Sequence, residues 1–153
     1  RTTTATPRKH PDELMFTGWA EVDRGTIETL DNLPGRAATQ QVENAIRRAV
    51  DAEGPIQTTR LAKLVARSFG LERVANTRAG AILKCVPSEF KRSTGERTFL
   101  WPANLDPVTW LGARRVRDGE SRDIETVSLI EIANAMRIAA ALSGGMSSTE
   151  VKR

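Results

Sequence analysis

Apolar side chains in the middle of the chain recur with helical period, and turn-forming residues cut that pattern into pieces. Val42, Ala45, Ile46, Ala49 and Val50 fall at i, i+3, i+4, i+7 and i+8, predicting a helix from Thr39 to about Glu53. Thr39 is placed to cap it, and Gly54-Pro55 to end it. Ile56-Gln57 leaves room for one short extended piece. A second helix follows, with Thr58 or Thr59 as its cap, Leu61, Leu64, Val65 and Phe69 facing inward, and Gly70 as the left-handed residue after its end. A third begins near Asn76 or Thr77 and ends before Pro87. Ala79, Ile82, Leu83 and Val86 form its inner arc; Thr77, Ala81, Lys84 and Ser88 form the outer arc, with Gly80 beside them. Phe90–Arg92, a turn at Ser93–Glu96 and Arg97–Trp101 then predict a β-hairpin, with Phe99 and Trp101 on one face.

The flanks are less regular. Residues 1–13 are polar and broken by proline, as in an arm or linker, and the lone His10 has no partner cluster to suggest a role. Leu14–Pro34 carries irregularly spaced apolar residues, which fits short strands or turns, with one helical turn at Leu30–Leu33. Val108, Trp110 and Leu111 form an apolar anchor after a linker at Pro102–Pro107. Ser128 and Glu131 have capping-box spacing ahead of a helix to about Leu142, in which Ile132, Met136 and Ala140 line one face with Leu129 and Ala133 beside them. Ser147 and Glu150 repeat that spacing just before the chain stops.

Helix, turn, helix and hairpin in this order predict an α+β fold: a winged helix-turn-helix of three helices plus a β-hairpin wing, with an N-terminal arm and an extra C-terminal helix. The expected segments are an arm or docking segment over 1–38, the winged helix over 39–102, and a basic linker with the last helix over 103–153. The chain begins with Arg1 and breaks off in an announced helix, so it reads as part of a longer polypeptide.

Charge sharpens this picture. The net charge is +4, but residues 57–117 hold 12 Lys/Arg against 4 Asp/Glu, while the segments on either side are each slightly acidic. A basic block on the predicted helix-turn-helix is suited to a phosphate backbone; the bland alternative is a solvated cationic surface. On the first reading Arg60, Lys63 and Arg67 form one stripe on a backbone. Asn76, Thr77, Arg78 and Lys84 approach a groove, and Lys91, Arg92 and Arg97 at the wing engage further phosphates. Neutralising about five phosphates predicts a log–log salt slope of roughly −4 to −5. Arg114, Arg115, Arg117 and Arg122 either add phosphate contacts or pair with acidic residues of their own chain.

Other chemistries find little support. There is no Walker loop, G-x-G-x-x-G, H-E-x-x-H or C-x-x-C, and one cysteine with one histidine does not make a zinc site. No cofactor, metal or catalytic residue is expected. Glu89-Phe90-Lys91 is half of a metal-nuclease motif with Glu72 as candidate upstream acid, a remote alternative. Cys85 reads as a packing residue in a reducing compartment. No apolar run is long enough to span a membrane, so a cytoplasmic setting is expected.

Five motifs occur in order: E-G-P-I at Glu53–Ile56, L-A-x-x-V-A-x-x-F-G-L at Leu61–Leu71, Arg78 in the third helix, F-L-W-P at Phe99–Pro102, and I-x-x-V-S-x-x-E-I-A-N-A-M at Ile124–Met136. Together they resemble domain-of-unknown-function family 3320, over roughly Glu43 to Arg153. The resemblance implies an accessory domain near the C-terminus of large bacterial superfamily-1 helicase-like proteins, with the ATPase motor elsewhere in the polypeptide. The expected partners are nucleic acid, DNA before RNA, and the helicase domain of the same chain; there is no membrane partner. The alternative is a winged-helix interaction module that docks the parent helicase or nuclease, with the Ser128–Leu142 helix as the dock. The family supplies no catalytic residues to carry over.

Overall fold

The computed structural model describes residues 10–20, 23–92, 95–96 and 98–144. The chain is mixed α+β. In order it forms β1 (Glu13–Met15), α1 (Ile27–Asp31), α2 (Arg36–Glu53), β2 (Ile56–Gln57), α3 (Thr58–Ser68), α4 (Asn76–Leu83), a 3-10 turn (Ser88–Phe90), β3 (Phe99–Leu100), β4 (Ala113–Arg115), a second 3-10 turn (Ile124–Thr126) and α5 (Leu129–Gly144). It divides into two compact units: a larger one from residues 17–110 and 122–128, and a smaller one from the described parts of 1–16, 111–121 and 129–153.

In the larger unit the apolar arcs of α2 and α3 meet. Val42, Ile46, Val50, Leu61, Val65, Phe69 and Ile82 are fully buried there, joined by Trp19, Leu30, Phe90 and Leu100. The helix α2 starts three residues before the expected Thr39. Gly35 occupies its N-cap, and the Thr39 hydroxyl donates to the Pro34 carbonyl at 3.1 Å from inside the first turn. Strand β2 pairs antiparallel with β3, Ile56 opposite Leu100 and Gln57 opposite Phe99. That ladder runs into α3: the Thr58 N–H donates to the Thr98 carbonyl at 2.8 Å. Strand pairing thus satisfies a donor at the start of α3, and the cap position falls to Gln57, which makes no side-chain cap bond, rather than to Thr58 or Thr59.

The expected hairpin is only partly present among the described residues. Phe90 lies in the 3-10 turn, no strand covers Lys91 or Arg92, and β3 pairs with β2. One bond ties the two limbs: the Trp101 N–H donates to the Phe90 carbonyl at 3.0 Å. Phe99, Leu100 and Trp101 are all buried, so no alternating face is left to solvent. Of the expected anchor only Trp110 acts as one, packing edge-to-face on Trp101 with centroids 5.5 Å apart; Val108 and Leu111 are exposed.

In the smaller unit β1 pairs in parallel with β4, Glu13 opposite Ala113, and α5 packs on β4. The inward side of α5 carries Glu131, Asn134 and Ile138, while on the apolar face Ile132 is half-buried and Ala133 and Ala140 are exposed. Leu129 and Met136 stay 66% and 68% exposed. The cause is polar: the Arg114 guanidinium and the Gly112 carbonyl draw Glu131 and Asn134 inward. The repeated capping box at Ser147 and Glu150 lies outside the described residues. His10 accepts a hydrogen bond at Nδ1 from the Asp12 N–H, just ahead of β1.

Candidate nucleic-acid interface

The two helices α3 and α4 are joined by a tight turn. Gly70 sits at φ +88°, where a side chain would strain the backbone, and the Leu71 N–H reaches back to the Ala66 carbonyl at 2.9 Å. The turn leaves α4 with Ile82 buried and with Asn76, Thr77, Gly80 and its C-cap Lys84 exposed along the opposite side. That outer arc is therefore open among the described residues.

The ten candidate residues divide by what they touch. Lys63 and Arg67 on α3, Lys84 after α4, and Lys91 are exposed, and none makes an ion pair among the described residues. Three other cations are committed internally. Arg60 holds the buried Glu53 through Nε and Nη2 at 2.6 and 3.0 Å. Arg78 binds Asp31 at 2.7 Å. Arg92 donates from Nε to the Glu89 carbonyl at 3.1 Å and from Nη2 to the Ala103 carbonyl at 3.0 Å. Asn76 and Thr77 are exposed at the start of α4, and Arg97 lies outside the described residues. In the basic stretch beyond, Arg114 and Arg115 pair with Glu131 and Glu13 of their own chain.

Electrostatics follow the same division. The hydrogen bond to Glu53 raises the Arg60 pKa, with burial opposing it. Burial pushes the Cys85 thiol up, keeping it protonated and unreactive, as expected of a packing residue. Glu89 of the half-nuclease motif is held by Arg47 at 2.8 Å, and the same guanidinium lies over the Phe90 ring at 5.6 Å. Among the described residues no group of three or more His, Cys, Asp or Glu is placed to hold a metal ion.

Residues 31–80, about a third of the chain, match the family described as "Protein of unknown function (DUF3320)". No curated protein and no solved structure matches the chain. The matched segment runs from the last residue of α1 to the middle of α4 and so contains the whole turn between α3 and α4. Its E-G-P-I motif is a structural joint. Glu53 accepts from Arg60 and, at 2.7 Å, from the Trp19 N–H. A Cβ on Gly54 would lie 2.4 Å from Pro102 Cδ, so this position admits no side chain while Pro102 packs against it. Ile56 pairs with Leu100. E-G-P-I therefore meets F-L-W-P, which lies outside the matched residues.

The last motif is also scaffolding: the Ser128 hydroxyl donates to Glu96 at 2.6 Å, and the Asn134 amide donates to the Gly112 carbonyl at 3.0 Å. Sequence reasoning missed Glu53 and Glu131 as hubs. A signal existed for Glu53: it falls three and seven positions after Val50 and Ile46, on the apolar arc of α2, where a carboxylate needs a partner.

Proposed function

We propose that the larger unit is a winged helix-turn-helix that binds DNA, and that the chain is a non-catalytic accessory domain of a helicase-like protein. In this reading α4 is the recognition helix, and the segment from Lys91 to Leu100 is the wing. The observation that carries it is the exposed outer arc of α4 with cations near its end. Lys84 follows its last turn, and Lys91 shares a cleft with Leu83 and Val86. Small residues at Gly80 and Ala81 let the α4 backbone come close to a groove, while Lys63, Arg67, Lys84 and Lys91 meet phosphates. Few base-reading side chains lie on the arc, so binding is largely independent of sequence. The partner motor follows from the resemblance, and a cytoplasmic setting from the single cysteine. Among the described residues no helix is long and apolar enough to cross a membrane.

The test is fluorescence anisotropy with a short duplex. Reversing both exposed lysines, Lys84→Glu with Lys91→Glu, lowers affinity by at least about tenfold at 0.1 M salt and leaves the circular dichroism spectrum unchanged. Unchanged affinity rejects the DNA reading.

A second reading has its own observation. Leu129 and Met136 are exposed on α5, with Ala133 and Ala140 on the same side. This apolar face suits docking on another domain of the parent polypeptide, a function that survives the double reversal and fails in Met136→Glu.

A further inference from the structure

Beside the last turn of α4 lies a cleft of about 350 Å³ lined by apolar and cationic side chains. Leu83, Val86, Phe99 and Leu100 form its walls, and Lys91 and Arg92 line it as well. The volume is at the small end of the ~300–1,000 Å³ typical of ligand pockets, which suits a single planar group. The two cations differ in use. Arg92 is braced by the Glu89 and Ala103 carbonyls, which fixes its guanidinium and leaves further N–H donors available. Lys91 is exposed and makes no ion pair among the described residues.

Aliphatic walls, an aromatic ring and adjacent cations are complementary to a ligand with a flat apolar body and an attached anion. A nucleotide has that form: the base supplies the plane and the phosphate the charge. Bases inside a duplex are stacked and paired and do not reach such a cleft. An unpaired base at a duplex end does. We propose that this cleft takes the first unpaired nucleotide at a duplex end or fork, with the base against Phe99 and the phosphate on Lys91 and Arg92. The proposal rests on the DNA-binding reading above and narrows its substrate to junctions between double and single strands.

The experiment uses the 153-residue chain and three labelled DNAs: a blunt duplex, the same duplex with a short single-stranded overhang, and that overhang with an abasic site at its first unpaired position. The overhang binds about tenfold more tightly than the blunt duplex, and the abasic site abolishes the difference. Leu83→Trp, which fills the cleft from a half-buried position, removes the preference for the overhang over the blunt duplex. Equal affinity for all three DNAs overturns the nucleotide cleft but leaves the DNA-binding reading standing. Failure to bind any of them overturns both. Binding of an aromatic, acidic peptide that Leu83→Trp abolishes, with no discrimination among the DNAs, makes the cleft a protein-docking site and overturns the proposal.

Discussion

The two units each bury a glutamate and satisfy it with the same kinds of donor, yet they depend on it differently. In the larger unit Glu53 takes two bonds from Arg60 and one from the Trp19 N–H. In the smaller unit Glu131 takes two from the Arg114 guanidinium and one from the Arg114 N–H, all at 2.9 Å. The Arg60 side chain remains 36% exposed, whereas that of Arg114 is 8% exposed. The larger unit also has an extensive apolar core, while the buried apolar residues described in the smaller one are Ala113 and Ile138. One ion pair is thus an addition to a core, and the other stands largely in place of one. A buried pair offsets its own desolvation only while both partners are present, so the fully enclosed pair is the more sensitive to losing one.

The largest effect therefore belongs to Glu131→Ala. It leaves Arg114 buried without its carboxylate and costs about 3–5 kcal/mol, seen as lost hydrogen-exchange protection in β1, β4 and α5. A cost equal to that of a surface pair would erase the contrast between the units. Arg60→Ala comes next, at about 1–3 kcal/mol by denaturant unfolding, because water reaches the space the guanidinium leaves. The same variant sharpens the contrast between structural and exposed cations: its DNA affinity and salt dependence stay at wild-type values, since Arg60 serves Glu53. The smallest effect is Asp31→Asn. Stability changes by about 0.5 kcal/mol or less, as for an exposed pair. DNA affinity rises a few-fold as Arg78, released from Asp31, joins the outer arc; unchanged affinity would place Arg78 outside the interface.

The helices were legible in the sequence because their arcs are apolar and their ends carry Gly or Pro. The period of Val42–Val50 placed α2 in the core, and Gly70 marked the turn before α4. What the sequence did not disclose were contacts that decide between equally good local options. Thr58 is a sound cap residue, but its N–H is taken up by pairing with Thr98. Ile132, Met136 and Ala140 form one apolar face of α5, but it is Glu131 and Asn134 that turn inward, bonded to Arg114 and Gly112. Arg60 fits the spacing of a basic stripe, yet a carboxylate one helix earlier captures it. In each case a partner outside the helix itself wins, and the helix's own periodicity carries no record of such partners. The candidate surface was legible as a charge excess, but not which of its cations were already engaged.

On the proposed reading the exposed Lys63, Arg67, Lys84 and Lys91, rather than Arg60 and Arg78, carry duplex binding. The most direct measurement is the salt dependence of duplex affinity for the wild-type chain and for a variant with these four residues changed to Gln. Four neutralised phosphates predict a log–log slope of about −3 to −4 for the wild type and a slope near zero for the variant. A flat wild-type slope, or a variant that keeps the full slope, would contradict the account.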